Sequence, residues 1–313
     1  MKNKFIKFVG YFITLVAFIF IGKSLMSMNF DVKYIKNPVF AVMLCIIMSI
    51  GYAIMVYVSS YAWKSTLEFI NKEKIPFSEI TTVYVKSNIG KYLPGNLMHF
   101  AGRNILAGKL GFKQLDITFS SLIEIIMLIL TDFILSFIIA MRSFQEILED
   151  MFSNIDTSVI IAVSLALLVL IILSGYILVN KTKFISNYKH FFTKKFMKLL
   201  CKLFFIYAIT LLIPGFFLVI IFKMVLGCKI TIQICMMGIA GYTISWVLGF
   251  IVPGAPGGIG VRESVLLLML AQIFTNNIVL LAAILLRITS ILGDLMAFLF
   301  EPFVIKLWKL REN

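Results

Sequence analysis

The chain of 313 residues is 61% hydrophobic and 14% charged, with a mean hydropathy of +1.01, a balance that excludes a water-soluble globular domain. Its formal charge of +14 does not describe a nucleic-acid surface, because the Lys and Arg residues sit in short connectors between apolar runs rather than on one face of a soluble module. Cys45, Cys201, Cys228 and Cys235 are scattered through apolar stretches without C-x-x-C spacing, so neither a disulfide framework nor a zinc site is expected, and no cofactor is implied.

Lys2, Lys4 and Lys7 precede an apolar run from Phe5 to about Met26. This run is long for a signal h-region and lacks an A-x-A-like cleavage site, so it predicts an uncleaved first span. Val39–Tyr61 predicts a second. Across Ile80–Leu110 a helical pattern lies on both sides of Gly90-Lys91-Tyr92-Leu93-Pro94-Gly95, the signature of a broken or re-entrant helix pair. Ile117–Met141 is again long enough to cross. An acidic connector with Glu146, Glu149, Asp150 and Asp156 leads to a span at Ser158–Val179. The basic connector Lys181–Lys202 spaces Phe184, Tyr188, Phe192 and Phe196 at helical steps among lysines, which predicts an interfacial amphipathic helix drawn to anionic lipid headgroups; the alternative is a basic loop that only sets orientation. Leu203–Leu226 predicts a span, Thr231–Phe274 a second broken pair around Pro253-Gly254-Ala255-Pro256-Gly257-Gly258-Ile259-Gly260-Val261-Arg262-Glu263, and Ile278–Ile305 a final span. The expected fold is therefore an all-α polytopic membrane protein, a single transmembrane domain over residues 1–313 with about six full spans, each of about 20 residues or more, and two broken pairs.

Each half then runs span, span, broken pair, span. That odd number of crossings inverts the second half, roughly 157–306, relative to the first, roughly 1–142, as in many secondary transporters. With both termini cytoplasmic, most of the 29 Lys and Arg residues fall on the inner side of a plasma membrane and the acidic connector on the outer side. In the alternative topology Thr231–Val252 crosses alone, which moves Lys306, Lys309 and Arg311 outside. The offset that lays Pro94-Gly95 on Pro256-Gly257 also lays Asp132 on Asp294, consistent with duplication.

The two breaks carry the chemistry. Non-helical backbone at membrane depth is tolerated only where protein packs around it or a wet cavity adjoins it, and a helix that starts there offers free N–H groups and a positive dipole end to an anion. Gly257, Gly258 and Gly260 can aim successive N–H groups into a concavity, and Arg262 adds a planar charged fork. The first break offers Lys91, then Asn96, His99 and Arg103 on one helical face. The alternative is that the breaks only kink helices while Arg103 and Arg262 snorkel to headgroups. His99 is read as a satisfied polar residue rather than a proton relay. Charged groups inside spans are expensive and face a partner or a cavity: Glu124 and Asp132 line one face of their span, Arg287, Asp294 and Glu301 recur every seven residues on another, and Arg287 is expected to pair with one of these carboxylates. They form a static network or take part in substrate or proton handling.

At G-K-Y-x-P-G and P-G-G-x-G-x-R-E the chain resembles the lysylphosphatidylglycerol synthase/flippase transmembrane family, over nearly its whole length. The resemblance implies movement of a charged or glycosylated lipid between leaflets of a bacterial-type plasma membrane, best known for lysyl-phosphatidylglycerol, where the altered surface charge gives resistance to cationic antimicrobial peptides. By motif position it implicates Lys91, Pro94, Gly95, Arg103, Gly257, Gly258, Arg262 and Glu263. Synthesising members carry a soluble aminoacyltransferase domain, for which this sequence has no segment, so the expectation is transport without synthesis: a flippase or scramblase, not an enzyme. No G-x-x-x-x-G-K-[ST] loop is present to bind ATP. The rival classes are a membrane-embedded transferase or hydrolase, for which His99 and His190 supply no visible nucleophile–base–orienter set, and a membrane subunit that serves a lysylphosphatidylglycerol or envelope-glycolipid synthase. The expected partners are a phospholipid or glycolipid substrate and, in addition, a second copy of the chain or an envelope lipid synthase.

Overall fold

A computed structural model of the chain describes residues 32–93, 98–143, 193–251, 258 and 260–312. The expected spans Phe5–Met26 and Ser158–Val179, the acidic connector, most of the basic connector, and Pro94, Gly95, Asn96 and Gly257 lie outside the described residues. The described residues form helices and no strand.

Helix α1 (Pro38–Asn71) starts where the Asn37 side chain accepts the Phe40 N–H at 3.1 Å, with Pro38 in the first turn, and stops at Lys72 in a left-handed conformation. Helix α2 (Phe77–Asn88) tightens into a 3-10 turn, Ile89–Tyr92, ahead of the first break. Helix α3 (Met98–Gly108) resumes beyond it and leads to the long α4 (Gln114–Ser143). Helix α5 (Lys194–Ile220) is capped by Thr193 and ends in a π turn, Ile221–Val225. Helix α6 (Ile232–Ile251) precedes the second break, α7 (Val261–Leu270) follows it, and α8 (Asn276–Glu312) closes the described chain. The order helix, break, short helix, long helix thus recurs in α2–α4 and α6–α8. Residues 194–202 of the basic connector are not a separate interfacial helix; they are the first turns of α5, and Lys202 donates to Ser65 at 2.8 Å.

Five helices, α1, α4, α5 with its π turn, α6 and α8, are long and apolar enough to cross a membrane, so the protein is an all-α, multi-pass membrane protein. Four of them contain the expected spans near Val39–Tyr61, Ile117–Met141, Leu203–Leu226 and Ile278–Ile305. The fifth, α6, has 20 residues, about 30 Å of helix at 1.5 Å per residue, and so is as long as a crossing requires. Burial is inverted relative to a soluble domain. Val39, Ile47, Phe205, Leu268 and Phe303 are exposed, whereas Arg103, Glu124, Asp132, Asp294 and Glu301 are all at most 3% exposed, as expected where hydrocarbon is the solvent.

Small residues bring the long helices together. At Gly293 of α8 an added Cβ would lie 2.7 Å from Tyr52 Cβ and 2.8 Å from the Ser49 carbonyl oxygen of α1. At Gly215, beside the buried Pro214 of α5, it would meet Ile239 of α6 at 3.1 Å. Hydroxyls add cross-links: Ser136 of α4 bonds Thr243 of α6 at 2.9 Å, and Trp63 of α1 donates its indole N–H to Ser120 of α4 at 2.9 Å.

Candidate functional site

Between the two breaks lies a cavity of about 140 Å³, with walls from all eight helices and the 3-10 turn. Four cations reach its wall: Lys91, Arg103, Arg262 and Arg287. Three of them already hold an acid. Lys91, placed by the 3-10 turn, pairs with Asp294 of α8 at 2.7 Å. The same carboxylate accepts the Asn88 amide at 2.7 Å and the Tyr92 hydroxyl. Gly90 permits this arrangement, since a Cβ there would lie 3.0 Å from the His99 backbone nitrogen at the start of α3.

Arg103 of α3 is 1% exposed and pairs with Glu124 of α4, which also accepts the Tyr84 hydroxyl at 2.9 Å. Its guanidinium carbon lies 3.9 Å from the Tyr84 ring centre and 5.2 Å from that of Trp63, a cation–π setting that partly replaces hydration. Arg103 is therefore an interior group and does not snorkel. Arg287 of α8 pairs with Glu263 of α7 at 2.7 Å. This corrects the expectation that Arg287 would take one of the carboxylates inside the spans.

Arg262 differs from the other three. It is half-buried, rests 5.6 Å from the Trp246 ring, has no ion pair among the described residues, and its Nε is buried without a hydrogen-bond partner. Two glycines shape its seat. A Cβ on Gly249 would lie 2.6 Å from Arg262 Cγ, and one on Gly258 would lie 2.8 Å from its Nε. Gly258 and Gly260 have φ of 74° and 84°, which glycine adopts without strain. The Gly260 N–H is not open to a ligand, because the Glu263 carboxylate, three residues into the turn, accepts it at 2.7 Å. At this break the glycines make room for a cation, and the N–H group at Gly260 serves the helix itself.

Six buried polar side-chain atoms among the described residues lack a partner, and four of them belong to residues on the cavity wall: His99 Nδ1, Arg103 Nε, Tyr207 Oη and Arg262 Nε. Buried polar atoms are normally paired, so such a concentration marks a place where a polar ligand fits. His99, expected to be satisfied, is 6% exposed with its Nδ1 unpartnered.

The structure thus brings Lys91, His99, Arg103, Glu124, Arg262 and Arg287 to one wall, with Asp294 and Glu263 directly behind. Glu301 stands apart, where it accepts the Thr82 hydroxyl and faces Lys86 at 3.5 Å, joining α2 to α8. Asp132 is buried but is not on the wall, and its Oδ1 has no partner. Sequence reasoning missed Tyr84, Asn88, Tyr207 and Trp246. The first two were detectable, because Tyr84 and Asn88 are four apart and continue to Lys91 and Tyr92 as one polar stripe on a membrane helix. Among the described residues no group of His, Cys, Asp and Glu is arranged to hold a metal ion. The chain matches no protein-family model, no curated protein and no solved structure.

Proposed function

We propose that the protein translocates an anionic lipid between membrane leaflets and holds the negative group of its headgroup in this cavity. The observation that carries the reading is Arg262, a cation seated by two glycines on an interior wall without a counter-ion among the described residues. A half-buried cation whose Nε has lost water without gaining a partner is unfavourable, and a phosphate or carboxylate received by its planar fork offsets that cost. Size points the same way: about 140 Å³ is small beside the roughly 300–1,000 Å³ of pockets that swallow a drug-sized ligand. The cavity suits a headgroup, with the acyl or polyprenyl chains left in the bilayer.

The resemblance to the lysylphosphatidylglycerol synthase/flippase transmembrane family supports a charged, aminoacylated or glycosylated lipid as cargo and a plasma-membrane location with both termini cytoplasmic. The recurrence of α2–α4 in α6–α8 supports two halves of inverted topology that rock about the site. On this reading Lys91 and Arg103 hold the wall in place through their acids, and Arg262 binds. Reconstitution in proteoliposomes with leaflet-resolved lipid detection tests it. Arg262→Gln should cut transfer by about tenfold or more, the effect of losing one charge-assisted contact of about 1.4 kcal/mol or more, with its thermal midpoint retained. An unchanged rate refutes the reading.

A further inference from the structure

We infer that the cavity selects cargo by charge number, taking one singly charged anionic group of the phosphodiester type in preference to a doubly charged phosphomonoester. This rests on the reading of the cavity as a headgroup site. The wall carries four cations, and Lys91, Arg103 and Arg287 are closed by Asp294, Glu124 and Glu263, which leaves the single charge of Arg262. A histidine of ordinary pKa, about 6.5, is mostly uncharged at the pH of about 8 used below, and residues 94–97 and 252–257 of the two breaks contain no ionisable side chain. Asp132 is off the wall. One negative charge therefore brings the described wall to neutrality, whereas a second meets no further cation among the described residues unless it draws one from Asp294, Glu124 or Glu263. In a medium of low dielectric an unmatched charge is far more costly than in water.

The test uses the purified protein in detergent at about pH 8, where a phosphomonoester, with a second pKa near 6, is doubly charged. The probes are dihexanoyl phosphatidylglycerol, dihexanoyl phosphatidic acid, zwitterionic dihexanoyl phosphatidylcholine and the soluble diester glycerophosphoglycerol, with dissociation constants from isothermal titration. The wild-type protein should bind phosphatidylglycerol at least about tenfold more tightly than phosphatidic acid. Arg262→Gln should weaken phosphatidylglycerol by a similar factor and level the two. Glu263→Gln removes a negative charge beside Arg287 yet keeps an acceptor for the Gly260 N–H, so it should reverse the order. If Glu263→Gln fails to fold, Asp294→Asn, which frees Lys91, makes the same test.

A wild-type protein that prefers phosphatidic acid, or a freed cation that leaves the order unchanged, overturns the charge rule. So does an order reversed by Asp132→Asn, which would show that the off-wall carboxylate belongs in the count. Glycerophosphoglycerol bound as tightly as the lipid supports the charge rule and assigns the site to soluble diesters. Selective binding without leaflet transfer sinks the transport reading and supports the charge rule. Transfer at equal rates for both anionic lipids supports transport and overturns the rule.

Discussion

Glu124→Gln should be among the most damaging single-atom-scale changes available in this protein. The Arg103–Glu124 pair is nearly sealed, with side chains 1% and 3% exposed, and the substitution keeps both the shape and an acceptor for the Tyr84 hydroxyl while removing only the charge. Arg103 would then be a buried cation with aromatic faces at 3.9 and 5.2 Å and no anion. Removing one partner of a buried pair costs about 3–5 kcal/mol, from which cation–π contact returns about 1–2 kcal/mol at a desolvated site; a net loss of about 1–4 kcal/mol is expected. The double variant Arg103→Gln/Glu124→Gln takes away both charges, so its loss should be smaller by at least about 1 kcal/mol. Equilibrium unfolding by SDS in mixed micelles measures both. A Glu124→Gln loss under about 1 kcal/mol, or a double variant less stable than the single, would refute the claim that charge balance, and not shape, holds α3 to α4.

Gly293→Ala forces a methyl to within 2.7 Å of Tyr52 Cβ and 2.8 Å of the Ser49 carbonyl, and neither atom is the free end of a flexible chain; the same unfolding assay should show a loss of about 1–3 kcal/mol, and a neutral result would mean that α1 and α8 pack less closely. Gly249→Ala sits 2.6 Å from Arg262 Cγ and should displace that side chain with little change in stability, weakening phosphatidylglycerol about fivefold or more, a loss of about 1 kcal/mol; unchanged affinity would remove Arg262 from the binding group. Spin labels on α6 and α7, either side of the second break, should change separation on adding phosphatidylglycerol, while labels on α7 and α8 should not. Equal changes in both pairs, read by double electron–electron resonance, would show that the ion pairs do not group the helices.

Much of the fold was legible because the bilayer imposes a length and a polarity that a single sequence displays. The apolar runs became α1, α4, α5 and α8, and the Gly/Pro stretches fall where α2 gives way to α3 and α6 to α7. That Arg103, Glu124 and Asp294 face inward also followed from polarity alone. Pairing did not. Arg287 was assigned to a carboxylate within a span, yet it meets Glu263 because α7 folds back against α8, a tertiary fact absent from helical spacing. The glycine-rich break suggested open N–H groups, although the G-x-x-E spacing of Gly260 and Glu263 already held the reason why the Gly260 N–H is closed. Helical spacing alone gives Gly249 no role. Only the return of Arg262 from beyond the break gives it a purpose.

The charged residues of α8 fasten elements that flank the two breaks. Arg287, Asp294 and Glu301 hold two regions: α7 through Glu263, and α2 with its 3-10 turn through Asn88, Lys91 and Tyr92 at Asp294 and through Thr82 and Lys86 at Glu301. Helix α3, across the first break, is instead tied to α4 by Arg103–Glu124, and α6, before the second, is tied to α4 by Thr243–Ser136. At the second break an element fastened to α8 meets one fastened to α4, while at the first α2 is held to α8 and also, through Tyr84 and Glu124, to α4. The cavity lies on that seam, where Arg262 comes from the α8 side and the Trp246 ring beneath it from the α4 side. A charge arriving at Arg262 acts where the two groups meet, beside Gly258 and Gly260, whose φ of 74° and 84° are conformations open to glycine. The hypothesis that follows is a hinge set by ion pairs rather than by glycine freedom alone, with the buried pairs keeping each group rigid and the unpaired arginine giving the cargo leverage over their separation.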